Sequence, residues 1–250
     1  LCRKLRDKRF NDGSLDFDFP ESEIILDNDG RPVDIVRVER SIAEKLIEEF
    51  MIAANEVVAE EMYWREVPFI YRVHETPDQT DLEDLNEFIH NFGYHIKGIS
   101  NQIHPKSLQE ILEKVGHEAE ERIINTVLLR SMKQAHYATE NIGHFGLASD
   151  YYTHFTSPIR RYPDLMIHRI LKGAINHGVL EPNRRQNLEE KLPELADHSS
   201  IRERKAEDAE YESKDLKKVE FMEGREGEVY EGIISGMMSF GFFVELPNLI

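Results

Sequence analysis

Phe155-Thr-Ser-Pro-Ile-Arg-Arg-Tyr-Pro-Asp-Leu-Met-Ile-His-Arg-Ile-Leu-Lys172 sets a short polar loop, two adjacent arginines and a proline directly before an amphipathic helix. Pro163 suits the first helical position, because its fixed φ is helix-like and its missing N–H is no loss there. Asp164 follows in the first turn, where the helix dipole favours a carboxylate. From Leu165 the apolar residues Leu165, Met166, Ile167, Ile170 and Leu171 recur at helical spacing. Arg160 and Arg161 therefore stand where a loop meets a helix N-terminus, a place suited to phosphate. The stretch holds four Lys or Arg and one Asp in a chain whose formal charge is −17. That local reversal of sign is the first functional clue.

Immediately upstream, Asn141-Ile-Gly-His-Phe-Gly-Leu147 is a loop with two glycines that leads into Tyr151 and Tyr152. His144 and His154 have the chemistry of acid–base groups at neutral pH. No nucleophile motif accompanies them: neither a GxSxG elbow nor an HExxH pair occurs. A structural role is the reading for both. Further upstream, residues 39–62 predict a strong helix with Ile42, Leu46, Ile47, Phe50, Ala54, Val57 and Val58 as its core stripe. Glu48 and Asn55 lie seven residues apart on one face, bracketed by Met51 and Ile52. That pattern fits a partly buried polar site as well as an ordinary solvated helix edge.

The remaining segments are read more coarsely. Residues 1–38 predict loop and strands: an alternating run Ser14–Phe19 ended by Pro20, then a hairpin of Ile24–Leu26 and Val33–Val38 around Asp27-Asn-Asp-Gly30. Asp12, Asp16 and Asp18 invite a metal, but solvent-facing turn and strand positions are the preferred account. Tyr63, Trp64, Phe69 and Tyr71 form an aromatic cluster, with core packing its expected fate. Thr80-Asp-Leu-Glu83 and Ser107-Leu-Gln-Glu110 are capping boxes, opening helices to Gly93 and Val115. A helix over about 118–135 carries Ile123, Ile124, Val127, Leu128 and Met132. Helices are expected over 183–192 and 193–220, the second with a charged face at 202–210. Strand-like runs Glu228–Ile234 and Phe240–Leu246 follow.

The whole describes a soluble, helix-rich α+β protein. Apolar residues make up 40% and charged residues 32%, and no apolar run approaches a membrane span. No signal peptide opens the chain, and the single cysteine, Cys2, rules out intrachain disulfides and a cysteine-based zinc site. A reducing, cytoplasmic location is expected. The negative charge argues against indiscriminate nucleic-acid binding but leaves room for a local basic groove, since screening confines charge effects to about 8–10 Å. The missing initiator methionine, and the end at Ile250 just past a strand-like run, read as a fragment.

Four segments carry a family resemblance: Gly13-Ser-Leu-Asp-Phe-Asp-Phe-Pro-Glu21, Ile47-Glu-Glu-Phe-Met-Ile-Ala-Ala-Asn55, Gly143-His-Phe-Gly-Leu-Ala148 and Thr156-Ser-Pro-Ile-Arg-Arg-Tyr-Pro-Asp-Leu165. In order and spacing they resemble the ribonuclease R branch of the ribonuclease II (RNB) family. The resemblance implies the C-terminal part of an RNB catalytic domain over residues 1–222. Over 223–250 it implies the start of an S-one type OB-fold. It also implies a processive 3′→5′ exoribonuclease that uses magnesium to hydrolyse single-stranded RNA to nucleoside 5′-monophosphates; a monomer is the default expectation.

Carried over by position, Arg160 matches the catalytic arginine that holds the 3′ phosphates, with Arg161 a further phosphate contact. Glu48 matches a glutamate on the sugar hydroxyls, Phe17 a phenylalanine against which terminal bases stack, and Glu210 a site-lining glutamate. One departure stands against these matches. The family's aspartate cluster, spaced roughly D-x5-D-x-D-D, does not occur, so the magnesium ligands are expected upstream and this polypeptide alone is expected to be inactive. The alternative is a non-catalytic RNA-binding protein that keeps the RNA-holding half.

Overall fold

In the computed structural model, residues 1–17, 21–38, 40–99, 103–116, 120–177, 180–238 and 240–246 are described. The chain opens on a helix, α1 (Cys2–Asp12), where loop and strand were expected. Its buried side consists of Cys2 and Arg9, so no apolar stripe announced it. Gly13 closes it with φ 104°, and a Cβ there would meet the Lys106 backbone nitrogen at 3.0 Å. Residues 14–17 form no strand. Ser14 and Leu15 are both buried, and Leu15 N–H donates to the Gly146 carbonyl at 2.8 Å. Asp18 and Phe19 lie outside the described residues.

The expected hairpin is present as β1 (Glu21–Leu26) and β2 (Pro32–Val38), antiparallel around Asp27–Gly30. α2 (Ile42–Trp64) follows, rotated from the expected stripe, of which Leu46, Ala54 and Val58 are half-buried. Glu49, Ile52, Asn55, Ala59 and Met62 point inward, while Ile42, Ile47, Phe50 and Val57 are exposed. Phe69 and Tyr71 are core residues, whereas Tyr63 and Trp64 are exposed. Short strands β3 (Tyr71–Val73) and β4 (His136–Ala138) pair antiparallel.

Between them stand α3 (Gln79–His90), α4 (Pro105–Val115) and α5 (Glu121–Arg130). α3 starts one residue before Thr80, with Asp78 at the N-cap position. α4 starts two residues before Ser107, because Pro105 takes the first position and His104 Nδ1 accepts from Lys106 N–H at 3.2 Å. A single 3-10 turn, Phe145–Leu147, precedes α6 (Tyr162–His177).

α7 (Pro182–Met222) is one helix, not two, with Pro193 inside it. A mid-helix proline costs about 3 kcal/mol. Burial of Leu188, Leu192 and Ala196 on either side offsets that loss. The last pair, β5 (Ile233–Met238) and β6 (Gly241–Glu245), is antiparallel. β5 begins later than expected and takes Gly236 into the strand at a register irregularity.

The chain divides into two compact units, residues 1–17 with 42–201, and residues 18–41 with 202–250. The first holds two apolar clusters. One joins Met62, Phe69, Val73, Ile167, Ile170 and Leu192; the other joins Leu85, Ile89, Leu108, Ile111, Ile124 and Leu128. Among the described residues no helix is long and apolar enough to cross a membrane.

Candidate nucleic-acid cleft

A cleft of about 690 Å³ lies between α2 and the segment 152–161. Ala43, Ile47, Glu48, Met51, Ile52 and Asn55 form one wall; Tyr152, His154, Thr156 and Arg161 form the other. Asn55 ties the walls together. Buried on α2, it accepts from Phe155 N–H at 2.9 Å and donates through Nδ2 to the Tyr152 hydroxyl at 3.0 Å. The segment is anchored below by Thr153, whose hydroxyl donates to the Ile70 carbonyl at 2.7 Å. Arg72 N–H donates to the Tyr152 carbonyl at 2.9 Å.

The opening loop of α6 is held by one carboxylate. Asp164 is fully buried and accepts from Ser157 N–H at 2.8 Å, Arg161 Nε at 3.0 Å and Arg161 Nη2 at 2.8 Å. Such a fork-to-carboxylate pair is rigid and strong. It fixes where the Arg161 guanidinium enters the cleft. Arg160 and Arg161 N–H groups both donate to the Ser157 carbonyl, closing the turn. Nearly two turns into α6, His168 Nε2 donates to the Phe155 carbonyl at 2.9 Å. Its ring stacks on Phe155 with centroids 4.1 Å apart. Thr156 Oγ1 is buried with no hydrogen-bond partner among the described residues.

His154 in the cleft wall and His144 behind it are both neutral. Burial, with Arg161 and Arg72 nearby, pushes His154 down to about 2, and burial beside His74 pushes His144 down to about 3. His154 Nδ1 and the Tyr137 hydroxyl share a 2.8 Å hydrogen bond. His144 Nδ1 accepts from Leu147 N–H at 3.2 Å. Gly146 N–H donates to His74 Nδ1 at 3.0 Å, and a Cβ on Gly146 would strike that nitrogen at 2.9 Å. Both His144 and His154 are thus held as uncharged packing and hydrogen-bonding groups.

Of the residues singled out in the sequence, Glu48 and Arg161 share the cleft. Arg160 is exposed on the same turn, at its outer side. Phe17 is half-buried against the Leu85–Leu108 cluster. Glu210 belongs to the second unit, where it accepts from Lys214 at 2.6 Å, and that lysine keeps its acidity above the ordinary carboxyl. Tyr152 and Thr156 were not anticipated as cleft residues. Nothing in their spacing separates them from core or loop, since the backbone path of 152–156 alone turns them inward.

The donor set does not suit a divalent metal. Among the described residues no three His, Cys, Asp or Glu side chains gather at one point. Asp16 pairs with Arg6, and Asp12 with Lys8 at 3.4 Å. Glu49 is committed to Arg9, whose Nη2 donates to it at 2.6 Å while Nη1 donates to the Ser14 hydroxyl at 2.8 Å. Burial works against the charge on Arg9, but Glu49 outweighs it and raises the arginine further.

Fold and cleft together define a helix-rich α+β domain with an arginine-bearing groove. The same fold occurs in the structure described as Mycoplasma genitalium RNase R in complex with ribose methylated single-stranded RNA. The two agree with a TM-score of 0.93 and 28% identity over 99% of this chain and 39% of that one. The model of the RNB domain matches residues 1–177, and the chain belongs to that family. Ribonuclease R 1 of Lactococcus lactis is 49% identical over 95% of this chain and 29% of its own length. Ribonuclease R of Thermotoga maritima is 47% identical over 99% of this chain and 35% of its own. The chain thus spans about a third of the relatives it matches.

Proposed function

We propose that this chain supplies the RNA-holding part of a processive 3′→5′ exoribonuclease that hydrolyses single-stranded RNA to nucleoside 5′-monophosphates. The observation that carries the reading is the agreement of nearly the whole chain with an RNA-bound RNase R structure. Within that reading Arg160 grips the phosphates at the 3′ end, as an exposed guanidinium at a helix N-terminus can. Arg161, aimed by Asp164, lends positive potential inside the cleft. Glu48, on the opposite wall, accepts from sugar hydroxyls and so favours RNA over DNA. Phe17 stacks on a base, and Glu210 borders the path of the strand. Magnesium, which the reading requires, finds no ligand set among the described residues. The part proposed for this chain is to bind and orient RNA, with the magnesium ligands expected upstream and no cleavage expected of these 250 residues alone. The reading also takes the protein as a cytoplasmic monomer, with a boundary at 222/223 before an OB-fold of which β5 and β6 are the first strands.

The test is a chimaera in which these 250 residues replace the matching stretch of the Lactococcus lactis relative, assayed with labelled oligo(A) and magnesium. Mononucleotide release is expected, and its absence sinks the enzyme reading in favour of a non-catalytic RNA-binding protein. In the same chimaera Arg160→Ala should cut turnover by orders of magnitude while RNA binding largely survives. Equal turnover refutes the role given to Arg160.

A further inference from the structure

Two hydroxyls on the 152–161 wall of the cleft hold protons with no acceptor among the described residues. Asn55 settles the first. The backbone N–H of Phe155 can only donate, so the Asn55 atom facing it at 2.9 Å is Oδ1. Nδ2 is then left to donate to the Tyr152 oxygen at 3.0 Å, and the phenolic O–H is spare. Burial pushes the Tyr152 phenol up even with the Arg161 charge nearby, so it keeps that proton at neutral pH. The second is Thr156 Oγ1, buried and unpartnered. Of the three such side-chain atoms among the described residues, it alone belongs to a residue that lines the cleft. The chain is held on both sides of it, since the Phe155 carbonyl accepts from His168 and Ser157 N–H donates to Asp164.

A buried hydroxyl without a partner costs stability, because its bonds to water are lost and not replaced. Both hydroxyls stand on one wall of one cleft, and the Arg161 guanidinium lies on the same wall. O–H donors beside a cation suit an anionic oxygen, and hydrogen bonds to ionised acceptors are about twice as strong as neutral ones. The opposite wall presents Glu48, whose carboxylate repels phosphate and accepts from sugar hydroxyls. Charge therefore orients a nucleotide across the cleft. We propose, resting on the RNA-holding reading above, that Tyr152 and Thr156 are RNA-contacting residues. Their hydroxyls donate to nonbridging phosphate oxygens of the strand, with its ribose turned toward Glu48. Contacts of this kind fix the backbone and carry no base information.

Thr156→Val keeps the side-chain shape and removes the hydroxyl, and its two effects should have opposite signs. The melting temperature of the isolated chain should rise, because an unsatisfied polar group is gone. A fall would show that the hydroxyl has a partner within the chain, and would overturn the assignment. Binding is read in the Lactococcus chimaera with fluorescein-labelled oligo(A) in EDTA, so that no cleavage intervenes. There Thr156→Val and Tyr152→Phe should each raise Kd about tenfold, while Thr156→Ser stays within about twofold of the parent. Thr156→Val decides the matter if Tyr152→Phe, which strands the Asn55 amide, fails to fold. Methylphosphonate linkages, which remove the phosphate charge, should weaken binding by the parent and erase its advantage over both variants. Tight binding by the parent with Kd unchanged in the variants overturns the proposal and leaves the RNA-holding reading standing. A parent chimaera that binds no oligo(A) sinks that reading and this proposal with it. An effect that persists on methylphosphonate RNA and vanishes on 2′-deoxy strands puts the hydroxyls on the sugar, which also overturns it.

Discussion

α2 and the stretch of α7 beyond Arg202 are both dense in charge, yet they spend it in opposite places. α2 turns Glu49 inward to Arg9, with side chains 2% and 8% exposed. α7 leaves Glu210 and Lys214 at the surface, one turn apart, at the same 2.6 Å. Equal distance does not mean equal consequence. A buried charge has no water to fall back on when its partner is lost, whereas an exposed one is rehydrated at once. Charge density along a helix therefore says little about stability until the side facing the interior is known.

The largest effect should come from α2. Glu49→Ala strands the Arg9 guanidinium between α1 and α2, and unfolding in urea should register a loss of about 3–5 kcal/mol. A loss no larger than that of an exposed pair would abolish the contrast between the two helices.

Acid should sharpen it further. His144 and His154 stay neutral in the folded chain to about 3 and about 2, while in the unfolded chain each titrates near about 6.5. Their contribution is fully present above about 6.5. As pH falls from there toward the folded values, the unfolded state binds protons that the folded state refuses. Stability should then drop by about 1.4 kcal/mol per pH unit for each histidine. Urea midpoints between pH 7 and 5 check this, and His154→Gln should flatten the slope; an unchanged slope would mean that His154 protonates freely in the fold.

The smallest effect belongs to α7. Lys214→Ala should leave the melting temperature unmoved, and any clear drop would show that the outer half of α7 is buried in its working state.

Much of the site was legible in the residues. The loop, arginine pair and helix at 155–172 appear as read, and so does the pairing of Glu48 with Asn55 on one face, both in the cleft wall. From its position in the first turn, Asp164 is a partner of the helix dipole. Its larger role, clamping Arg161 and Ser157, depends on the loop folding back over the helix. α1 was missed because an ion pair, not an apolar stripe, is what it buries. Local propensity makes Pro193 a break, and packing on both sides of it overrides that preference.

By itself the sequence determined the helical periods, the turn residues, the basic stretch in an acidic chain and the four segments that carry the family. Those are local, written in spacing and side-chain type. Which face of α2 looks inward was decided by tertiary structure alone. A 3.6-residue period marks that two faces differ, but carries no sign. Only the arrival of Arg9, Tyr152 and Phe155 lets Glu49 and Asn55 go inward beside Ile52, Ala59 and Met62, because buried polar groups must find partners and these supply them.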